Sequence, residues 1–373
     1  EKYLPLDVLA ETQGVDPVKF SRGIGQERIS VPGHDEDIVT MAAEAARPII
    51  EYCGTEGIDT LMFATETGID QSKAAGIYVH RLLDLPPRCR NVELKQACYS
   101  ATAALQMACG HVARKPDRKV LILAADVSRY DLESAAEATQ GAGAVAMLVS
   151  NNAKILEMDV ASGCFTEDIM DFWRPNYSKT PFVDGKYSTL RYLNALTEAW
   201  QDYRDNGGRE FNEFVQMCYH IPFSRMGEKA HKHLSNFTKS QMNAELCQPG
   251  MVYNRQVGNC YTASLYLSLI SALENAPINL ENKPIGLFSY GSGAVAEFFS
   301  GIVQPGFRDH LYTSRHRELL ENRKALTYDE YINLWHAPDP HDGGEFVIEQ
   351  AARGQYRLSR IHEHKRYYEV ATS

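Results

Sequence analysis

What this chain lacks narrows its function before any motif is considered. It has no surplus of positive charge: 38 Lys and Arg stand against 48 Asp and Glu, a formal net charge of −10. That balance argues against a nucleic-acid or anionic-membrane partner, while leaving room for a local basic patch that holds a phosphorylated ligand. No apolar run approaches the roughly 18 residues of a membrane span, and no signal-peptide pattern is visible. The eight cysteines, at 53, 89, 98, 109, 164, 218, 247 and 260, include no CxxC pair and no Cys/His spacing suited to a metal. They are expected to be reduced thiols of a cytoplasmic protein, most of them packing residues.

What is present is an ordinary globular mix, 44% hydrophobic and 23% charged, in 373 residues, a length that suits two core units. Strand and helix patterns alternate, which favours an α/β fold with largely parallel sheets. Helical spacing covers 37–53, "QSKAAGIYVHRLLDL", "CYSATAALQMACGHVARK", "SRMGEKAHKHLSNF" and "YTASLYLSLISALEN". Buried-strand patterns cover 58–66, "NVELKQA", 119–126, 143–150, 213–220 and "IGLFSYG". Near the end, "SRHRELLENRKALTYDEYINLW" is expected as a surface helix, "HAPDPHDGGEF" as a loop and "YRLSRIHEHKRYYEV" as a strand with its approach. Two internal echoes stand out. "QGAGAVAML" from Gln140 resembles "YGSGAVAEF" from Tyr290, and "CYSAT" from Cys98 resembles "CYTAS" from Cys260. Their common order suggests a duplication and predicts two similar halves about a pseudo-twofold axis.

Several residues could carry chemistry. Cys98 falls at a strand-to-helix junction, where the helix dipole favours a thiolate and free N–H groups can bind an oxyanion. Cys260 holds the matching place in the second half, and spacing alone does not choose between them; either could equally be a core cysteine. His220 ends a strand just before Pro222, a good place for a cleft or for a hydrogen-bonded structural histidine. His231 and His233, on the following helix among charges, are expected to be solvated. Glu66 closes an apolar strand and is a candidate base with a raised pKa, or a simple cap, although Asp70 is the more natural cap for the next helix. Arg225, Lys229 and Lys232 fall on one helical face, either solvated or holding a ligand phosphate. "FSYGSGAVAEFF" uses its glycines for a tight turn and close backbone approach, and is neither GxGxxG nor a P-loop.

Taken together, "ELKQACYSATAALQMA", "FATETGIDQSKAA", "AADVSRY", "EATQGAGAVAML", "DIMDFWRP", "FVDGKYS", "YHIPFSRMGEKA", "RQVGNCYTASLYLSLIS" and "GLFSYGSGAVAEFFSG" resemble, in order from about 37 to 301, the signature blocks of bacterial-type 3-hydroxy-3-methylglutaryl-CoA (HMG-CoA) synthases. The N-terminal "LPLDVLAETQGVDPVKF" fits as well, and the last seventy residues match more loosely. The family's usual short first strand is absent and the chain opens on Glu1, which fits a truncated start.

The resemblance implies a thiolase-like fold, an α/β protein of two duplicated halves in an α-β-α-β-α arrangement, divided here at 1–155 and 156–373, and usually a homodimer. It implies Cys98 as nucleophile, Glu66 as acid/base and His220 as active-site histidine, with the oxyanion hole on the backbone N–H groups of Cys98 and Ser292. Tyr99, Asp126, Thr139, Asp171, Tyr192, Asn259 and Tyr261 would support the site or touch substrate. Arg225 and Lys229 would meet the CoA phosphates. Acetyl-CoA and acetoacetyl-CoA are the implied substrates, with no metal or organic cofactor, in the mevalonate route to isoprenoids. The closest alternative is the HMG-acyl-carrier-protein synthase of polyketide β-branching, for which the motif around Cys98 would serve equally. Ketosynthases and thiolases share the fold but use no Glu in the place of Glu66. A non-catalytic acyl-CoA binder would have no need of Glu66, Cys98 and His220 together.

Overall fold

Along Ile58–Ala64 the side chains alternate between two apolar environments, and that alternation sets the layering. Leu61 and Phe63 face one core, shared with Ile38, Val39 and Ala46 of the helix Ile38–Cys53. Met62 and Ala64 face another, shared with Ala101, Ala104 and Ala108 of the helix Ser100–Arg114. Lys119–Val127 divides in the same way, with Leu121 and Leu123 on the first side and Val120 and Ile122 on the second. The structure is a computed structural model that describes residues 1–337, 340 and 342–371.

The first sheet runs Arg90–Leu94, Ile58–Ala64, Lys119–Val127, Ala142–Val149, parallel until the antiparallel last strand. The second runs Gln216–Tyr219, Pro284–Gly291, Val295–Val303, Leu156–Thr166, with one parallel pair followed by two antiparallel pairs. Its inner face, with Cys218, Leu287 and Phe299, shares the middle core with the helices Ser100–Arg114 and Ser264–Asn275. Its outer face, with Met217, Tyr219, Phe288 and Phe298, packs on Gly185–Asp205 and Arg225–Phe237. With Ala75–Leu82 beside Ile38–Cys53, helix pair, sheet, helix pair, sheet and helix pair therefore stack in the five layers of a thiolase-like fold.

Both echoes land at matching places. The Gly-Ala-Val-Ala segments enter the antiparallel strands at 142 and 295, and the Cys-Tyr segments lead into the two central helices. The halves differ at one edge. Val295–Val303 is flanked by Leu156–Thr166, whereas Ala142–Val149 has no strand beyond it among the described residues, and a groove of about 1810 Å³ runs along it.

Local chemistry explains where the sequence expectations need correction. The helix expected from Gln71 begins only at Ala75, because the Asp70 carboxylate accepts from the Ser72 and Lys73 N–H groups and caps a turn ahead of it. The single surface helix expected over 314–335 is two helices, Thr313–Glu321 and Tyr328–Trp335. Between them Lys324–Ala325 pairs in parallel with Lys2–Tyr3, and Thr327 and Glu330 form a capping box for the second helix. The loop expected at 336–346 includes residues 338, 339 and 341, which lie outside the described residues. The terminal stretch is a hairpin of two strands, Tyr356–His362 and Lys365–Val370, and not one strand. Tyr356, Leu358 and Tyr368 join the outer core of the first half.

Asp37 ties that hairpin to the first half. Its carboxylate accepts from the Val39 and Thr40 N–H groups at 2.9 and 3.2 Å as the N-cap of Ile38–Cys53, and from the Tyr368 hydroxyl at 2.5 Å. Asp37→Ala is expected to lower the unfolding free energy by about 2 kcal/mol, seen as an earlier urea midpoint at constant slope. An unmoved midpoint would mean that packing alone holds the hairpin.

Candidate active site

Cys98 sits in a short turn between Arg90–Leu94 and Ser100–Arg114. The Tyr99 N–H closes the turn on the Gln96 carbonyl at 3.0 Å, and Ala97 takes a left-handed φ of 41°. The sulfur lies 3.9 Å from Glu66 Oε2, so two of the sequence candidates are in contact. The helix start was expected to favour thiolate. Instead burial, aided by the negative charges of Glu66 and Asp126, pushes the Cys98 thiol well above the ordinary range. A dipole contribution of about 1 kcal/mol does not offset desolvation of a buried anion.

Glu66 follows the end of its strand on a segment held by one buried carboxylate. Asp126 Oδ1 accepts from Thr65 Oγ1 (2.7 Å), Glu66 N (2.9 Å), Thr67 N (2.9 Å) and Thr67 Oγ1 (2.6 Å). Its Oδ2 accepts from Thr262 N (3.0 Å) and Thr262 Oγ1 (2.6 Å), in the other half. Burial, and then the charge of Asp126, raise the Glu66 pKa well above the usual carboxylate range; Arg174 and the Cys98 contact oppose them. Arg174 donates from Nη2 to the Glu66 carbonyl.

The Gly291-Ser292-Gly293 turn lies against the Cys98 turn. A Cβ on Gly291 would come within 2.6 Å of the Gln96 carbonyl oxygen and 2.7 Å of the Tyr99 nitrogen, so this approach requires glycine. The Ser292–Gly293 peptide is gripped from both sides: Gln96 Nε2 donates to the Ser292 carbonyl at 3.2 Å, and Gly293 N donates to Asp171 Oδ1 at 2.9 Å. Asp171 is fully buried and also accepts from Tyr290 and Ser188.

His220 directly follows the strand Gln216–Tyr219, its N–H donating to the Phe288 carbonyl at 2.8 Å and its own carbonyl accepting from the Tyr192 hydroxyl. Burial lowers its pKa to about 3, so the ring is neutral at neutral pH, and Nδ1 is buried without a partner among the described residues. No hydrogen bond joins it to Cys98 or Glu66 among the described residues. Asn259 Oδ1 accepts from Tyr261 N and Ser264 Oγ, and its own N–H donates to the Thr139 carbonyl at 3.0 Å. Tyr261 has a left-handed φ of 43° and meets Phe172 edge-on.

Other expected positions lie apart from this cluster or differ in surroundings. Tyr99 turns its hydroxyl away to Glu297 Oε2 at 2.7 Å, a buried acid that also takes Gln106. Arg225 donates to the Arg22 carbonyl and pairs with Glu228. Lys229 lies 5.0 Å from the Phe223 ring centroid and, with Lys232, is exposed. His231 is not solvated: it is fully buried, with Nδ1 3.0 Å from the Tyr219 hydroxyl, because its position faces the outer core. His233 is half-buried against Thr197. Cys260 is a core residue, its sulfur 3.6 Å from Ser264 Oγ and its pKa pushed up to about 12 by burial. Residue patterns missed Gln96, Arg174 and Tyr130, a buried tyrosine beside Asn259 and Tyr261. All three lie within or next to the quoted motifs, but nothing in their spacing marks them.

Known proteins resemble this chain over almost its whole length. The family models described as hydroxymethylglutaryl-coenzyme A synthase N terminal and C terminal match residues 2–154 and, for the second, 155–245 and 229–371. The chain is 45% identical over 332 residues to the hydroxymethylglutaryl-CoA synthase of Enterococcus faecalis, covering 88% of this chain and 87% of that protein. It is 32% identical over 359 residues to the polyketide biosynthesis 3-hydroxy-3-methylglutaryl-ACP synthase PksG of Bacillus subtilis, covering 89% and 84%. A crystal structure of an HMG-CoA synthase complexed with CoA superposes with a TM-score of 0.94 at 39% identity, over 99% of this chain and 96% of the other.

Asp126→Asn keeps the volume but turns an amide N–H₂ toward buried donors. It is expected to cost about 3 kcal/mol in chemical denaturation; a loss under about 1 kcal/mol would mean that the contacts between the halves hold without it.

Proposed function

The chain belongs to the hydroxymethylglutaryl-CoA synthase family, and on that footing we propose how its own residues carry the reaction. Enzymes of this family are acyltransferases that condense acetyl-CoA with acetoacetyl-CoA to HMG-CoA, a step of the mevalonate route to isoprenoids. The observation that supports the residue assignment best is the contact of Cys98 with Glu66 beside the Ser292 turn.

Cys98 attacks the acetyl carbonyl, and the oxyanion is held by the backbone N–H groups of Cys98 and Ser292. The thiol is protonated at rest, so its proton leaves during attack. That proton ends on the departing CoA sulfur, and Glu66 is kept for the condensation that follows. Glu66 then takes a methyl proton from the acetyl thioester, and the enolate adds to the C3 ketone of acetoacetyl-CoA. His220, neutral at this pH, polarises that ketone through an N–H, and the new alkoxide recovers a proton from Glu66. Water cleaves the Cys98 thioester, releasing HMG-CoA. Asp126, Thr139, Asp171, Tyr192, Asn259 and Tyr261 hold these groups in place, and Tyr99 anchors the nucleophile helix. Arg225 and Lys229 meet the CoA phosphates. CoA is a substrate handle, and the steps call on neither metal nor organic cofactor.

This assignment puts nucleophile and base in the half 1–155, and His220, Asn259 and the Ser292 turn in the half 156–373. The carrier-protein alternative is not favoured, the Enterococcus CoA enzyme being 45% identical against 32% for the ACP enzyme. The reading extends to a cytoplasmic homodimer. Arg90–Leu94 ends its sheet with one neighbour among the described residues and Val92 is exposed, as suits a strand that pairs with a second copy.

Two measurements test this. With acetyl-CoA, intact-protein mass spectrometry should find one acetyl group on Cys98, chased to HMG-CoA by acetoacetyl-CoA. Cys98→Ala should lose the adduct and Cys260→Ala keep it, whereas Glu66→Ala should form it and fail at condensation. An adduct discharged only by an acetoacetyl carrier protein would move the enzyme to the polyketide reaction, and turnover by Cys98→Ala would refute the nucleophile. In sedimentation the protein should run as a dimer that Val92→Asp weakens at least tenfold, about 1.4 kcal/mol; a monomeric native chain would remove the dimer from the proposal.

A further inference from the structure

The hairpin Phe172–Trp173 with Phe182–Val183 reaches over the site from the second half. Its outer side chains are aromatic, Trp173 stacking on Phe182 at 5.7 Å, while Phe172 turns inward between Tyr130 and Tyr261. The next residue, Arg174, reaches back across the boundary between the halves and donates to the main-chain carbonyl of Glu66. The opposite side of the same segment is held by Asp126, through the Glu66 N–H. Glu66 is thus fastened by its N–H to an anion in its own half and by its carbonyl to a cation from the other.

The charges around Glu66 are unequal. Asp126 lies behind it on the Lys119–Val127 strand. Glu93, on the Arg90–Leu94 strand, lies along the same loop, its Oε1 3.0 Å from where a Cβ on Gly68 would be. Cys98 faces it from the nucleophile turn, Asp171 lies beyond Cys98, and Tyr130 and Tyr261 complete the wall. His220 is neutral. Against the carboxylates, the positive side chain that acts on Glu66 is Arg174.

We infer that Arg174 is a positioning residue for Glu66, fixing the loop that carries the base and supplying the positive charge that offsets Asp126. The inference rests on the reading of Glu66 as the base. A base must be ionised to take the methyl proton. Without the guanidinium, burial and Asp126 act on Glu66 unopposed, its pKa rises further, and the ionised fraction at a given pH falls. The acidic limb of the pH–rate profile therefore moves to higher pH. A purely structural loss would lower the rate by one factor at every pH.

The test is the pH dependence of kcat for HMG-CoA formation in the full chain, with native protein, Arg174→Met, Arg174→Gln and Arg174→Lys side by side. Arg174→Met and Arg174→Gln should move the acidic limb up by about one pH unit, and Arg174→Lys should return it to the native position. Arg174→Gln retains a donor for the Glu66 carbonyl, so it separates charge from tethering if Arg174→Met folds poorly. A limb that stays in place in Arg174→Gln, or a uniform loss at every pH, would overturn the inference. Failure of the native protein to form HMG-CoA would instead refute the underlying functional reading.

Discussion

A buried carboxylate that takes six N–H and O–H donors is the constraint on which the site depends. Asp126 is fully buried, and an isolated charge there would be prohibitively costly. Its donors, Thr65, Glu66, Thr67 and Thr262, make it affordable, and in doing so fix where those residues sit. Three belong to the segment that leaves the Ile58–Ala64 strand, and the fourth belongs to the turn after Cys260. Neither half can move without stripping donors from this carboxylate. Glu66 therefore keeps its place beside Cys98 as a consequence of how Asp126 is solvated by protein.

The same need for close contact explains the glycines. A Cβ at Gly258 would lie 1.8 Å from the Gln140 carbonyl oxygen, and one at Gly141 would meet Val257 and Gly258 backbone under 3 Å away. At the other junction Gly291 presses on Gln96 and Tyr99. The duplicated Gly-x-Gly segments are thus where each half lets the other's backbone approach. The copies have diverged in use. The first leaves its cysteine facing a carboxylate; the second packs its cysteine near Gly143 and lets Ser264 occupy the sulfur, while Asn259 one residue earlier carries the polar contacts.

Layering and duplication were legible because they rest on period and repetition. Buried strands such as 119–127 are continuous apolar runs, and the two echoes mark equivalent turns. What escaped was set by contacts distant in sequence. Gly185–Asp205 opens on Tyr187, Ser188 and Thr189, poor helix formers, and is held by burying Tyr192, Leu196, Trp200 and Tyr203. Leu156–Thr166 mixes apolar and polar residues without a clean alternation, and its place in the sheet is set by pairing with Val295–Val303. His231 looked solvated among its charged neighbours, yet a helix turns every residue to a different face, and its own face is apolar. The site was legible as a set of separate candidates. The joining of Cys98 to Glu66 is a tertiary fact, and Arg174 and Gln96 matter only through the partners that folding brings to them.

Burial has one chemical effect on all the central groups. It pushes Cys98 and Glu66 upward and His220 down to about 3, so each is driven toward its neutral form. A resting site of thiolate, imidazolium and carboxylate would need three desolvated charges to be stabilised permanently. Here burial favours the uncharged thiol and imidazole, and the one charge the reaction needs beforehand is that of the base, Glu66. Negative charge then develops on the substrate oxygen, where fixed N–H dipoles do not have to reorganise to receive it. The thiol need not ionise beforehand, since its proton can leave with the departing CoA sulfur as the new bond forms. The feature that makes Cys98 look unreactive by its acidity is thus compatible with reactivity. What the site requires is a dry, fixed geometry in which proton and carbon transfers happen together, and the packing of the two halves supplies it.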